Sequence, residues 1–467
     1  SHQQFGARAV TRLLIECTNV FRNPRVNSGI QRVVRNIVRH LDSCTGKAEC
    51  IPVIFARDGL YRVNKLTPDP ADDSLLGRAY ELLERLNGAF WRAHGRYESH
   101  WPMTRVHNLR RAFYLLSRVL NLPIAIGLRA LRLLGFDPLL LRAEPFESRA
   151  GDQLILLDSS WHEANFGQVE QLKREGVGIV AVLYDLIPLS RPEFFDARLS
   201  AVFSTWFDWV IHNADGYMSI SRSVRDQLKG ELSKRLGAVA AQKPWYGYFH
   251  LGSELDLAQE ALSPPAELVR LFDAEPPVYL AVSTIEPRKN HAYLLDAFEL
   301  LWAQNSAPRL CIIGRVGWKC EALIKRIEGH PEFGRRLFMF NQLDDSGLEY
   351  AYAKAKALLF SSHDEGFGLP LVEAMQRGLP AMGSDIPVFH EVGGEFMAYF
   401  DLKSPQSLAD LVAQFERSGE FPAPGRLADW QWIGWSGACG QLIDGILTEV
   451  APQDGALRQG CADATRS

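Results

Sequence analysis

The chain lacks any uninterrupted run of about eighteen apolar residues, the length a helix needs to cross a bilayer, and so offers no spanning segment. It also lacks paired Cys-x-x-Cys elements and RNA-binding motifs. With 51 basic against 55 acidic residues, it has no general excess of positive charge. A formal charge of −4 removes the electrostatic argument for nucleic acid and leaves a small or local partner as the expectation. Cysteine is sparse. Cys17, Cys44, Cys50, Cys311, Cys320, Cys439 and Cys461 are odd in number, scattered and without metal-ligand spacing, which argues for a reducing compartment rather than a disulfide framework. Ser1-His2 is not followed by a charged-then-apolar leader, so secretion is not expected.

What is present is a composition of 47% hydrophobic and 23% charged residues, that of a soluble globular protein. At 467 residues the chain exceeds one ordinary core and predicts two domains of roughly 200 residues each. The densest stretch is Ser361–Met375, which holds a strand end, a glycine loop and a helix start. Ala357-Leu358-Leu359-Phe360 reads as a buried strand; Pro370 suits the first helical position, and Gly378 followed by Pro380 closes the helix. This places Glu365 on the loop and Glu373 in the first turn of the helix. Exposed amides of Gly366, Phe367 and Gly368, ahead of Leu369, together with the positive helix end, suit an anion such as a phosphorylated ligand.

In chain order, Arg12–Cys17 predicts a first strand and Asn27–Asn36 a loop opening a helix, with Gly29 at the turn. Gly29 has two readings: a flexible helix entry, or a point of close backbone approach to a ligand. Arg32 and Arg35 either meet phosphate or are solvated helix residues. Leu154–Asp158 and Gly178–Asp185 predict strands that deliver Asp158, Trp161, Tyr184 and Asp185 to the edge where open α/β sheets hold ligands. Gly216–Ser221 predicts another strand, with Ser221 or Ser223 capping the helix after it. Ser263-Pro264-Pro265 and Glu275-Pro276-Pro277 mark a linker, after which the α/β alternation resumes at Val278 and continues through Leu310–Gly314 and Leu337–Phe340.

Between Asp58 and Arg149 the pattern turns helical, basic and aromatic. From Ala89 to Arg142, Arg92, Arg96, Arg105, Arg110, Arg111, Arg118, Arg129, Arg132 and Arg142 stand against only Glu98 and Asp137. Such a segment either rests its apolar face on an anionic membrane surface or packs that face on its own domain.

Thr284-Ile285-Glu286-Pro287-Arg288-Lys289-Asn290, the loop Gly314-Arg315-Val316-Gly317-Trp318 and Glu365 through Glu373 together resemble the family 4 glycosyltransferases. The resemblance runs from Pro277 to about Leu402 and is weaker at Tyr184–Leu189, Ile220–Ser223 and His250-Leu251-Gly252. It implies an α/β GT-B fold, two Rossmann-like domains facing a central cleft, with a helical insertion in the first. The expected boundaries are 1–262 for an acceptor-side domain (insertion about 60–149), 263–430 for a nucleotide-sugar domain, and 431–467 for a returning helix and tail.

The implied activity is retaining transfer of a sugar from a nucleoside-diphosphate sugar to a hydroxyl, without metal or cofactor. The resemblance assigns Glu365 to the donor sugar, Glu373 to the nucleotide ribose, and Arg288 and Lys289 to the diphosphate. Gly314, Gly366, Phe367, Gly368, Leu369, Tyr184, Asp185 and Gly29 join the expected donor site. Similar sequences suggest bacterial polysaccharide assembly with GDP-sugars such as GDP-mannose, UDP-sugars next, and a glycan or lipid-linked glycan as acceptor. A cytoplasmic protein, with peripheral contact to the inner membrane face, is the matching location. The chain departs from the family where Ser283 or Thr284 replaces a further Arg and where Tyr184 replaces His. These departures keep open a non-catalytic nucleotide-sugar-binding or glycan-binding subunit; an epimerase or hydrolase of the same architecture is the other alternative.

Overall fold

The computed structural model describes residues 10–23, 28–64, 66, 75–101, 106–134, 143–162, 165–255 and 263–450. The chain forms two compact units, one of Ser1–Asn19, Val26–Ile51 and Ser148–Ser467, the other of Val20–Arg25 and Pro52–Glu147. The expected positions Arg105, Asp137 and Arg142 lie outside the described residues, as do 451–467.

The larger unit holds two parallel sheets. In the first, Arg12–Glu16 pairs with Gln153–Leu156, then Gly178–Leu183, Gly216–Ser219 and Trp245–Tyr248 follow, each parallel to its neighbour. Parallel strands covered on both faces read as continuous apolar runs, and Leu13, Leu14, Ile15, Leu154, Ile155, Ile179, Val180 and Ala181 are all fully buried. Half-buried Trp161, expected at a ligand edge, packs its ring against Phe203 and Trp206, with centroids 5.3 Å from each.

The second sheet is six-stranded and wholly parallel, in the order Leu337–Phe340, Arg309–Ile313, Val278–Val282, Ala357–Phe360, Ala381–Ser384, Ala398–Phe400. By sequence this is 3-2-1-4-5-6, the doubly wound order in which the strand direction of travel reverses between the first and fourth strands. The crevice outside the carboxyl ends of those two strands, Val278–Val282 and Ala357–Phe360, is where such sheets hold nucleotides. The loops leaving them are Ser283–Asn290 and Ser361–Gly368. The supposed linker between the sheets contains a helix, Ala266–Asp273, whose Leu268 and Leu271 are buried. The last helix, Trp435–Val450, returns to the first sheet's side of the unit: Asp444 pairs with Lys47 at 2.8 Å and Gln441 accepts from the His250 amide.

The smaller unit pairs Val53–Ala56 antiparallel with Gly59–Arg62, and Tyr61–Val63 antiparallel with Ala143–Pro145. Three helices occupy its middle, Leu75–His100, His107–Leu120 and Leu122–Leu133. They meet through few buried groups: His94 stacks on Phe113 at 4.7 Å and bonds Ser117, and Asn121 donates to Asn87.

Candidate functional site

The Ser283–Asn290 loop is built to hold two cations still. Pro287–Lys289 makes a single 3-10 turn, and Asn290, a residue type that tolerates the left-handed region, takes φ 57° to start the His291–Ala303 helix. The neighbouring loop zips onto it, with the Ile285 amide donating to Arg315 and the Gly317 amide to Ile285, each at 2.9 Å. Gly314 has to be glycine: a Cβ there would stand 1.7 Å from the Ser283 carbonyl oxygen. From the other strand, Ser361 Oγ donates to the Lys289 and Asn290 carbonyls, and the His363 amide donates to the Arg288 carbonyl.

The two loops meet at Glu365, only 8% exposed. Arg288 Nη1 lies 2.9 Å from one carboxylate oxygen, while Lys289 Nζ and Ser362 Oγ, the latter at 2.7 Å, donate to the other. Arg288 also pairs with the buried Glu286 at 2.9 Å. Burial pushes the Glu365 carboxyl up, but Arg288 and Lys289, helped by the bonds from Lys289 and Ser362, outweigh it and hold the group at about 2. Burial, and then Arg288, lower the Lys289 ammonium, and burial raises Asp185 and Glu286 despite Arg288 beside both. The site is therefore a fixed carboxylate between two cations, at the switch point of the sheet.

Glu373 sits differently from the expectation. The helix begins at Leu369, so Glu373 lies in its second turn rather than its first, and stabilising the helix entry is not its role. It is 1% exposed, with Arg32 Nη1 on one oxygen at 2.8 Å and the Tyr352 hydroxyl on the other at 2.9 Å. Burial raises its carboxyl to about 6 despite Arg32, Tyr352 and Arg377. Arg32 thus pairs with carboxylates and is not solvated; its second partner is Asp345 at 3.0 Å.

The glycine loop is covered rather than exposed. Gly366, Phe367 and Gly368 are buried, and the Gly366 carbonyl accepts from Ser221 Oγ at 2.8 Å. A Cβ on Gly366 would lie 2.0 Å from the Tyr184 carbonyl oxygen, so the two sheets' loops touch backbone to backbone. Gly368 takes φ 105° ahead of the helix, and Leu369 is its half-buried first residue. Tyr184 spends its hydroxyl on the Leu157 carbonyl at 2.6 Å and is buried, its phenol pushed well up by burial, Asp158 and Glu16. Asp185 accepts from the Ile187 amide and feels Arg288. Gly29 opens the Gly29–Arg39 helix behind a Ser28–Gln31 capping box, with nothing within 4 Å of an added Cβ.

Ser362, Tyr352 and Glu391 escaped the sequence reading as site residues. Glu391 accepts from the Arg222 and Ser223 amides and from His250 at 2.9 Å, joining the second sheet's domain to the first. In sequence it is one residue of the Pro277–Leu402 stretch that carries the resemblance. The Ser-x-x-Glu spacing of Ser362 and Glu365 within one loop is a local signal for Ser362, whereas nothing local marks Tyr352, whose partner lies on another helix.

Residues 269–424 match the family model described as glycosyl transferases group 1. The serotype-specific mannosyltransferase WbdA of Escherichia coli is 32% identical over 314 residues, 66% of this chain and 38% of that protein. The O-antigen chain mannosyltransferase RfbU of Salmonella typhimurium is 32% identical over 140 residues, 29% of this chain and 38% of the relative. The chain thus spans about two fifths of the length of the curated relatives it matches. Among solved structures, Anabaena Alr3699/HepE in complex with UDP-glucose superposes with a TM-score of 0.51 at 12% identity, over 93% of this chain and 94% of that one. The two facing parallel sheets are a GT-B fold.

Proposed function

We propose that this chain, whose residues 269–424 match the model of the group 1 glycosyl transferases, moves a sugar from a nucleoside-diphosphate sugar to an acceptor hydroxyl with retention of configuration. The observation that carries the proposal is Glu365 held ionised between Arg288 and Lys289 at the carboxyl ends of the two switch-point strands. An anionic carboxylate accepts hydrogen bonds from two sugar hydroxyls, and the two cations stand where the departing diphosphate gathers charge. In this reading the acceptor hydroxyl attacks from the face the diphosphate vacates. A phosphate oxygen takes its proton, so no side-chain base is required. Neither a metal nor a dissociable cofactor forms part of the scheme.

A GDP-sugar such as GDP-mannose is the favoured donor and a UDP-sugar the next; the mannosyltransferase names of the relatives support the first. The acceptor is a glycan or lipid-linked glycan of bacterial surface polysaccharide assembly. Exposed Leu115, Leu116, Val119, Leu120, Leu122 and Ile126, beside exposed Arg110, Arg111, Arg118 and Arg129, support peripheral contact with an anionic membrane at its cytoplasmic face. Among the described residues no single helix is long and apolar enough to cross a membrane.

Thermal-shift titration with GDP, UDP, ADP and their sugars tests donor recognition, because a ligand that binds only the folded state raises the melting temperature. A shift with one nucleotide class, followed by acceptor-dependent release of that nucleoside diphosphate, is the expected result. No shift with any of them overturns the proposal. The commitment of the Tyr184 hydroxyl to Leu157 favours a second reading, a nucleotide-sugar-binding subunit without turnover. Binding without release in the presence of any glycan would select it.

A further inference from the structure

The Glu373 carboxylate takes its two partners from two different helices, and one of them, Arg32, lies on the other sheet's domain. Arg32, on the Gly29–Arg39 helix, is 14% exposed at its side chain and spans from Glu373, at 2.8 Å, to Asp345, at 3.0 Å. The Asp345–Lys354 helix supplies both Asp345 and Tyr352, whose hydroxyl occupies the second Glu373 oxygen. Just past Glu373's own helix, Arg377 holds the Glu373 carbonyl at 2.7 Å and pairs with Glu349. We propose that Arg32 is a positioning residue for nucleotide recognition: it crosses between the domains to fix Glu373 as an anionic acceptor for the ribose hydroxyls. The proposal rests on the nucleotide-sugar reading above.

The argument is one of capacity. Each carboxylate oxygen can accept two hydrogen bonds, and one donor already sits on each, from Arg32 and from Tyr352. Two acceptor positions remain, enough for the vicinal hydroxyls of a ribose, provided the group carries no proton of its own. A buried carboxyl beside Asp345 favours protonation, and Arg32 is the foremost charge opposing it. Replacing Arg32 with an uncharged residue leaves Glu373 facing Tyr352, Asp345 and the more distant Arg377 alone. It then takes up a proton near neutrality and presents a donor where the ribose needs an acceptor. Because Arg32 belongs to the first sheet's domain, the same bond makes approach of the two domains a condition of ribose recognition.

The test is calorimetric titration of the full chain with GDP and UDP between pH 5 and 9, for the parent, Arg32→Met and Arg32→Lys. For the parent, affinity is expected to fall as pH drops through about 6, where Glu373 protonates. Arg32→Met should bind on the order of tenfold more weakly at neutral pH, with its midpoint moved upward and affinity partly recovered at pH 9. Arg32→Lys, which keeps the charge and tests the idea should the methionine variant misfold, should fall between them. The 2′,3′-dideoxy nucleotides, lacking the hydroxyls, should bind parent and variants alike. Equal or tighter ribonucleotide binding by both variants, or the same loss with the dideoxy nucleotides, overturns the role of Arg32 alone. Failure of the parent to bind any nucleotide overturns the nucleotide-sugar reading itself.

Discussion

At the scale of single residues, the proposed chemistry falls to Lys289, Arg288 and Glu365. Removing one preorganised stabiliser of developing charge typically costs about 10²–10³ in rate. Lys289→Ala and Arg288→Ala are therefore each expected to lower kcat by that order, measured as nucleoside diphosphate released with acceptor present. Glu365 also makes a prediction about acid stability. Its folded carboxyl, at about 2, lies below the unfolded range, so its contribution is fully present above about pH 5 and is lost as pH falls toward 2. That contribution is on the order of 3 kcal/mol. Urea midpoints of Glu365→Gln should accordingly change less between pH 5 and pH 3 than those of the parent; parallel curves would contradict the assignment. The placement of these residues on strand-end loops was legible from the chain, because Arg288-Lys289-Asn290 and Glu365-Gly366-Phe367-Gly368 follow apolar strand runs. Tyr352 was not, because a hydrogen bond from one helix to another leaves no periodic trace.

At the scale of elements, the contacts between the two sheets' loops explain why Gly366 is glycine. An added methyl would meet the Tyr184 carbonyl oxygen at 2.0 Å, and backbone on both sides cannot yield. Gly366→Ala is thus expected to weaken nucleotide-sugar affinity at least tenfold while leaving the helical circular dichroism unchanged. Unaltered affinity would show that the loops part more readily than the contact implies. Ser221 does two things that its sequence position showed only in half. It caps the Arg222–Leu236 helix by accepting from the Val224 amide at 3.1 Å, as a serine before a helix should, and it donates to Gly366. The strand Ala357–Phe360 was plain from its apolar run. The helix after it starts one residue earlier than Pro370 suggests, at Leu369 behind Gly368, and that single position carries Glu373 from the end of the first turn into the second.

At the scale of the whole molecule, the charge of −4 conceals a local reversal in the Leu75–Leu133 helices. Binding to anionic vesicles is expected to decline with salt, since surface charges are screened over about 10 Å at 0.1 M. It should disappear when Leu115, Leu116, Val119 and Leu120 are replaced by serine. Cosedimentation that survives those changes, or deletion of residues 89–142, would place the contact elsewhere. By itself the sequence determined the α/β rhythm, the basic helical segment and the strand-end loops, because each depends on residues adjacent in the chain. Only the tertiary structure decided which groups face one another. Arg32 and Glu373 are separated by 341 positions and joined at 2.8 Å, and an ion pair of that reach exists only once two sheets have folded and met. The same holds for Tyr184, whose hydroxyl was committed to Leu157 by packing that no local pattern records.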